Sequence, residues 1–243
     1  MPLSATPWLG VRGLLAALAW MCFAPAMAEA IHVPSIPRPQ SAPASKAIAK
    51  TLAKSLAAWD KQQLAMAKDC AKDVARVNAR EKGHTLVAEF ELRYEVLLDT
   101  PQIYSLAQWL NINCIGPYPA FAENAVVFDM ATGQRYSPLR LYAITRKGPY
   151  GAEFRPEIRT LIRQALIAER KPIDKDDECI QVLKSDEIRL LEDDTLGLGA
   201  QGLHVMYAGS HAVQACYGEV VLPYARLKKF LNTQEAKRIH WAH

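Results

Sequence analysis

Hydrophobic residues recur with two different spacings along the chain, first every three or four residues and then every second residue. These spacings predict a long helix followed by strands. From Ser45 onward, apolar or small side chains recur every three or four positions, with the polar Gln63 in the one gap. This spacing places them on one stripe of an α-helix. We predict a helix over residues 46–79. Its packing stripe comprises Ile48, Leu52, Leu56, Trp59, Met66, Cys70, Val74 and Val77.

After Gly83 the period changes to two, which is typical of β-strands with one buried face. Alternate residues of 86–96 are apolar, and segment 103–114 repeats the pattern. A third strand at 125–130 leads into Thr132-Gly133, where glycine permits a tight turn. This half of the chain predicts an antiparallel sheet preceded by a helix. The polar positions of the first strand are Glu89, Glu91, Arg93 and Glu95.

The second half begins with another amphipathic helix, for which Pro156 suits the first turn and Lys171-Pro172 the end. We predict a short basic helix at 224–231 and a loose segment over the last dozen residues. The predicted strands are 180–183, 188–191, 203–207 and 213–222. Helices and strands without strict alternation indicate an α+β fold with antiparallel sheets, packed helices and subdomains at 45–148 and 149–243.

Composition narrows the class of protein. The 243 residues are 50% hydrophobic and 22% charged, with a formal net charge of +4. This composition is typical of a globular core and excludes a disordered chain. The net charge is too small for a nucleic-acid-binding protein, in which Lys and Arg dominate one face. We therefore expect no nucleic-acid partner.

The N-terminus predicts export. Arg12, the apolar segment 13–25 and Ala26-Met27-Ala28 form the pattern of a signal peptide cleaved after Ala28. The apolar segment is shorter than the roughly 20 residues of a membrane span, and we expect no span in the mature chain. The protein is then periplasmic or secreted, with a retained N-terminal anchor as the alternative. Residues 29–44 are rich in proline and predict an extended linker without folded structure.

Four cysteines remain after such a cleavage, which removes Cys22. In an oxidising compartment four cysteines usually form two disulfides, with three possible connectivities. We favour Cys70–Cys114 and Cys179–Cys216, because each bridge then closes a loop within one half of the chain. No C-x-x-C pair or cysteine–histidine cluster indicates a zinc site. We therefore expect a disulfide-stabilised protein without a metal or cofactor.

Two short motifs have sequences that occur in enzymes. Gly197-x-Gly199-x-x-Gly202 has the spacing of a dinucleotide-binding loop, but a strand follows it where that loop needs a helix. We interpret its glycines as a turn or bulge. Ser210-His211 lies in an extended segment, where adjacent side chains point to opposite faces, so we do not expect a nucleophile and base there.

A row of carboxylates is the main candidate for catalysis. Glu89, Glu91 and Glu95 share one strand face, and glycoside hydrolysis needs two acids at a suitable separation. The solvated side of a sheet is the simpler interpretation, because no cleft or shifted pKa is indicated. We therefore expect no catalytic residue, with hydrolysis as the alternative.

The strongest local electrostatic feature is an acidic segment. Residues 174–194 contain nine acidic and three basic residues, in a chain of small net charge. Such a segment can be a solubilising loop or a docking surface for a cationic partner. A calcium loop is a further alternative, although Asp174-x-Asp176-Asp177-Glu178 lacks the glycine and distal glutamate of an EF-hand.

Two stretches together resemble a known pair of extracytoplasmic domains. Phe128-Asp129-x-x-Thr132-Gly133 is similar to a turn of the first domain, and Gly202-Leu203-x-Val205-x-Tyr207 with residues 216–227 is similar to the signature of the second. The pair is found in RsiV-type lysozyme-sensing anti-sigma factors and beside peptidoglycan deacetylase domains. The resemblance covers residues 84–232. It implies a non-catalytic α+β module of the cell envelope, which in some members recognises lysozyme.

Together these patterns predict a non-catalytic recognition protein of the cell envelope. Its partner would be a lysozyme-like protein or a peptidoglycan fragment. In the lysozyme sensors an Asn-Pro-Tyr turn helps contact the enzyme, and residues 208–210 occupy its place here. The alternatives are a peptidoglycan-active glycan hydrolase that uses the carboxylate row and a structural partner that binds through the long helix. The candidate ligand-binding residues are Asp174, Asp176, Asp177, Glu178, Tyr207 and Ser210.

Overall fold

A computed structural model shows an α+β fold, as the sequence predicts. The predicted signal peptide, most of the acidic segment and the residues around Ser210 lie outside the part of the chain that the structure describes. Among the described helices, none is long and apolar enough to cross a membrane. The described residues are 30–80, 86–115, 120–148, 151–170, 178–185, 195–206, 216 and 218–242.

The predicted long helix is confirmed as α1 (Lys46–Arg80), which lies along one face of the main sheet. Its stripe differs from the prediction at one position, because Met66 is 38% exposed and Ala67 is buried instead. A step of four residues from Gln63 to Ala67 keeps the stripe on the sheet, since the helix has 3.6 residues per turn. The buried positions of α1 are Leu52, Leu56, Gln63, Ala67, Cys70 and Val74.

The main sheet has five strands in sequence order: β1 (Ala30–His32), β2 (Glu89–Asp99), β3 (Ile103–Asn113), β4 (Ala120–Asp129) and β5 (Gln134–Arg135). β2 to β5 are antiparallel neighbours and confirm the predicted sheet, whereas β1 pairs with β2 in parallel. A bulge in β2 between Val96 and Leu98 shifts the register, and Val96, predicted to face the core, is 41% exposed.

The segment predicted as an unfolded linker is extended, but it lies against the main sheet. Ile36 is buried, and the carbonyl of Pro37 accepts a hydrogen bond from the hydroxyl of Tyr104 at 2.8 Å. The backbone N–H of Gln40 donates to the carboxylate of Asp99 at 2.6 Å. Proline prevents a helix here, but side chains and backbone of a neighbouring surface can still satisfy an extended chain.

The second half consists of short elements. A small antiparallel sheet has the order β10-β9-β8, and β6 and β7 form a separate hairpin. A 3₁₀ turn (Lys228–Phe230) separates the last two helices. The strands are β6 (Thr145–Gly148), β7 (Gly151–Phe154), β8 (Leu196–Leu198), β9 (Gly202–Val205) and β10 (Val220–Pro223). The helices are α2 (Pro138–Leu141), α3 (Pro156–Arg170), α4 (Glu178–Ser185), α5 (Tyr224–Leu227) and α6 (Thr233–Arg238).

Two sequence predictions for this half are wrong. Residues 180–183 belong to α4 and not to a strand, and the helix buries Ile180 and Leu183, three positions apart, beside α3. The last dozen residues are not loose, because they contain α6 and bury Ala236 and Ile239. The predicted helix after Pro156 is confirmed as α3, and the predicted strand at 188–191 lies outside the described residues.

The small sheet packs on the face of the main sheet opposite α1. There the backbone N–H of Leu198 donates to the buried hydroxyl of Ser105 at 3.1 Å. The largest core cluster draws on residues from both predicted subdomains, for example Val127 and Leu203. The division into subdomains stays a prediction.

Both predicted disulfides are present. Cys70–Cys114 joins α1 to the residue after β3, and Cys179–Cys216 joins α4 to the residues before β10. They close loops with sequence separations of 44 and 37. The α+β prediction with its long helix and two bridges is therefore confirmed.

Candidate functional site

A pocket of about 200 Å³ lies between α1 and the main sheet, and we call it the amide pocket. Four side-chain amides line it, together with one guanidinium and three side chains that offer apolar surface. Its volume is below the roughly 300–1,000 Å³ typical of sites for drug-sized molecules, so it suits one small group of a ligand. The lining residues are Gln62, Gln63, Gln108, Asn124, Arg135, Trp59, Met66 and Leu110.

Two buried glutamines from different elements meet in this pocket. Gln108 Nε2 donates to Gln63 Oε1 at 3.0 Å, and the two residues are 0% and 4% exposed. Gln108 Oε1 is buried and accepts no hydrogen bond from any described residue. An unpaired buried acceptor costs about 1–3 kcal/mol. The wall of the pocket therefore contains an acceptor that no described residue satisfies.

The register of the elements explains why the two glutamines meet. Gln63 interrupts the apolar stripe of α1, and Gln108 interrupts the apolar face of β3 between the buried Leu106 and Leu110. Gln108 is paired across the sheet with Asn124 of β4, so that these two amides share the face that α1 covers. Packing of α1 on this face aligns the interruptions and leaves a polar pocket in an otherwise apolar interface.

The remaining side chains give the pocket an apolar wall and one positive charge. Trp59 is half-buried and packs edge-to-face on Tyr94 with ring centroids 5.7 Å apart. Met66 is partly exposed, and Arg135 extends from the short edge strand β5. Among the described residues, the guanidinium of Arg135 has no hydrogen-bond or ion-pair partner. Its charge is available to a ligand at this pocket.

The lining residues of the amide pocket have the chemistry of a binding site. Among the described side chains that line the amide pocket, none is a carboxylate, an imidazole, a thiol or a hydroxyl. General acid–base and covalent catalysis need such groups within hydrogen-bonding distance of the reacting atoms. Amides and a guanidinium form directional hydrogen bonds without exchanging protons near neutral pH.

The predicted carboxylate row lies elsewhere. Glu89, Glu91 and Glu95 are exposed positions of β2, and Glu89 Oε2 accepts a hydrogen bond from Asn113 Nδ2 at 3.2 Å. A second pocket of about 330 Å³ lies beside β1 and β2, and Glu91 is the one carboxylate among its described lining residues, which also include His32. The described residues therefore do not bring two acids together in that pocket.

The glycine motif has a packing role in the small sheet. A Cβ at Gly197 would lie 3.1 Å from the Cβ of Ala125, and a Cβ at Gly199 would overlap the imidazole of His204. These glycines therefore admit neighbouring side chains to the hairpin of β8 and β9. His204 Nδ1 is hydrogen-bonded to Glu219 Oε1, and this pairing uses the imidazole within the sheet.

The described structure does not test the predicted ligand-binding residues. Glu178 is the first residue of α4, and nothing is described of its side chain. Within the described ranges no group of three His, Cys, Asp or Glu side chains could hold a metal ion. The other five candidates, Asp174, Asp176, Asp177, Tyr207 and Ser210, lie outside the described residues.

The residues of the amide pocket were only partly visible in the sequence. Gln63 stands out as the polar gap in a helical stripe. Gln108 is the corresponding gap in the alternating pattern of 103–114, and this signal was missed. The helical period predicts Trp59 in the packing stripe, and the structure places it at the pocket as well.

Comparison with known proteins gives structural neighbours of an uncharacterised family. No family model matches the chain, and no curated protein matches it. A member of the DUF3298 family from Bacteroides fragilis is similar with a TM-score of 0.48 and 13% identity, over 74% of this chain and 69% of that chain. A DUF3298 family protein from Pseudomonas aeruginosa has a TM-score of 0.40 and 13% identity, over 60% and 62%.

Proposed function

We propose that the protein is a non-catalytic recognition protein of the cell envelope, and that its ligand is a peptidoglycan component or a wall-active protein such as lysozyme. The amide pocket is the observation that carries this proposal. It offers hydrogen-bonding groups, an aromatic wall and a guanidinium, and none of its described lining residues is a carboxylate, an imidazole, a thiol or a hydroxyl.

Export of the protein is part of the proposal. Two disulfides are typical of an oxidising compartment such as the periplasm or the cell exterior. The pattern of residues 1–28 supports removal of a signal peptide after Ala28. The resemblance of residues 84–232 to envelope modules supports the same location.

Binding measurements test the proposal directly. We expect purified, oxidised protein to bind soluble muropeptides or lysozyme in isothermal titration calorimetry. The acidic segment 174–194 supports the choice of lysozyme as one ligand, because a basic protein is electrostatically complementary to it. Absence of measurable heat with both ligand classes would refute the proposed function.

Zymography on peptidoglycan tests the alternative of a glycan hydrolase. Residues two apart on a strand place their side chains on one face, with backbones about 6.6 Å apart, and inverting glycosidases hold their two carboxyl groups roughly 6.5–9.5 Å apart. The proposal of a binding protein expects no clearing of the gel. Clearing by the protein that is lost in Glu89→Gln or Glu91→Gln would instead establish hydrolysis by the carboxylate row.

A further inference from the structure

The polar interruption in the interface between α1 and the sheet indicates a ligand group that hydrogen-bonds to amides. One hydrogen bond joins the side chains of Gln63 and Gln108, and Gln108 Oε1 has no partner among the described residues. The positions beside Gln108 on the same face of β3 are the buried apolar residues Leu106 and Leu110. An apolar side chain at position 108 would continue that face, so folding does not require the amide.

The glutamine pair can offer either half of a hydrogen bond. When both amides rotate by 180°, the bond between them is kept and the unpaired atom changes from an acceptor to a donor. Asn124 and Gln62 add two further amides to the same pocket. A ligand amide carries its donor N–H and its acceptor C=O on separate atoms, so it can bond to two amides of this pocket at once, whereas a hydroxyl donates and accepts through one oxygen and an ion offers only one kind of partner.

The volume of the amide pocket and its charge restrict the kind of ligand further. A volume of about 200 Å³ admits a small substituent with part of a ring, and Trp59 and Met66 provide apolar surface for a methyl group or a ring face. Arg135 is the one charged side chain among the described lining residues. A ligand with a protonated amine would meet this cation and no carboxylate among the described lining residues, whereas a neutral amide avoids the repulsion.

We propose that the amide pocket binds the acetamido group of an N-acetylated amino sugar, an inference that rests on the recognition function above. The acetamido N–H and C=O bond to the amides of Gln63 and Gln108, and the sugar ring lies on Trp59. Arg135 at the pocket favours glycans that carry a carboxylate near the N-acetyl group. The pocket discriminates against the same glycan after removal of the acetyl group.

Calorimetry with a matched pair of oligosaccharides tests this discrimination. The probes are a soluble oligomer of N-acetylglucosamine and the corresponding glucosamine oligomer. We expect the acetylated oligomer to bind and the deacetylated oligomer to bind at least about tenfold more weakly, since it lacks the amide and adds a charge. Equal affinity for the two oligomers would overturn the inference.

The double variant Gln63→Met/Gln108→Met tests the residues. Replacement of both partners by apolar side chains of similar shape removes the unpaired acceptor, so we expect an unchanged or higher thermal midpoint and loss of oligosaccharide binding by about tenfold or more. Gln234→Met, an exposed position of α6, is the matched control and should change neither quantity. Full binding by a folded double variant contradicts the proposal.

An NMR titration keeps the inference testable if the double variant fails to fold. The side-chain NH₂ signals of Gln63 and Gln108 in the unaltered protein should shift on addition of the N-acetylglucosamine oligomer, and unshifted signals at saturation count against it. Binding of lysozyme or a peptidoglycan stem peptide without binding of the acetylated oligomer overturns this inference alone. Absence of binding to all of these probes overturns the proposed function as well.

Discussion

Asp129 Oδ2 accepts a hydrogen bond from Arg238 Nη1 at 2.9 Å, which joins the turn after β4 to the last helix across 109 positions of sequence. The other carboxylate oxygen of Asp129 accepts the backbone N–H of Ala131 at 2.8 Å and so fixes the turn itself. Arg238 also donates to Glu235 Oε1 from Nε and Nη2, at 3.1 and 2.9 Å. The Asp129 in the Phe128-Asp129-x-x-Thr132-Gly133 motif is therefore a structural residue.

Truncation of this arginine should destabilise the protein. Arg238→Ala leaves the buried carboxylate of Asp129 without its charged donor, and hydrogen bonds to charged groups contribute about 1.5–3 kcal/mol. Because Arg238 is 38% exposed, water replaces part of the lost bond, and we expect a loss near the lower end of that range. Guanidinium unfolding measures the change. Arg226→Ala, at an exposed position of α5, is the control and should change stability by less than about 0.5 kcal/mol.

The same cluster should make stability depend on pH in the acid range. Hydrogen bonding from Arg238, with the positive charges of Arg238 and Arg140, holds the pKa of Glu235 below its ordinary value of 4.5, although burial acts in the opposite direction. A pKa lowered by folding means that the ionised form stabilises the native state. This contribution is present above pH 4.5 and is lost as the pH falls through the folded-state pKa.

Glu235→Gln removes this titration. We expect the variant to be less stable than the unaltered protein at pH 7 and to lose less stability between pH 5 and pH 3 in thermal unfolding. Glu157→Gln, an exposed position of α3, serves as the control. If Glu235→Gln and the unaltered protein show parallel acid limbs, Glu235 does not contribute to the pH dependence.

The last helix, α6, could not be predicted from the sequence. α6 has six residues, of which Ala236 is the one apolar side chain, so no hydrophobic period marks it. Its start is fixed locally by Asn232 Oδ1, which accepts the N–H groups of Gln234 and Glu235 at 3.2 Å each. Its burial depends on distant Asp129 through Arg238, a contact that no local pattern encodes. In α1 and β2 the periodic pattern of apolar residues extends over many positions, and both elements could be predicted from the sequence.

The amide pocket illustrates the same limit for function. The gap at Gln63 is visible in the helical stripe, and the gap at Gln108 is visible in the strand pattern. Their meeting depends on how α1 is placed along β3, which is a tertiary relationship. Two coincident polar gaps in elements that pack together are therefore a useful signal, but only after the pairing of those elements is known.

Removal of the first disulfide should act on α1 in particular. Cys70→Ala/Cys114→Ala opens a loop with a separation of 44, for which loop entropy gives a loss of about 4 kcal/mol. Guanidinium unfolding measures this loss, and hydrogen exchange should show lower protection in the second half of α1. The control is Cys179→Ala/Cys216→Ala, with a separation of 37. It should cost a similar amount but leave exchange in α1 unchanged, and equal effects of both variants on α1 contradict a local role.

The close approach of β9 and β10 at Gly202 gives a further prediction. A Cβ at Gly202 would lie 2.8 Å from the carbonyl carbon of Leu222 and closer still to its oxygen, so Gly202→Ala must push the two strands apart. Leu203 and Leu222, which are paired next to it, are both in the largest core cluster, and displacement of either disturbs that packing. Overpacking of this kind costs about 1–3 kcal/mol, and thermal unfolding should show it. Gly218→Ala is the matched control, because its added Cβ meets nothing within 4 Å. Equal thermal midpoints for the two variants would show that the small sheet yields at Gly202, and the packing role assigned to the glycine motif would then be wrong.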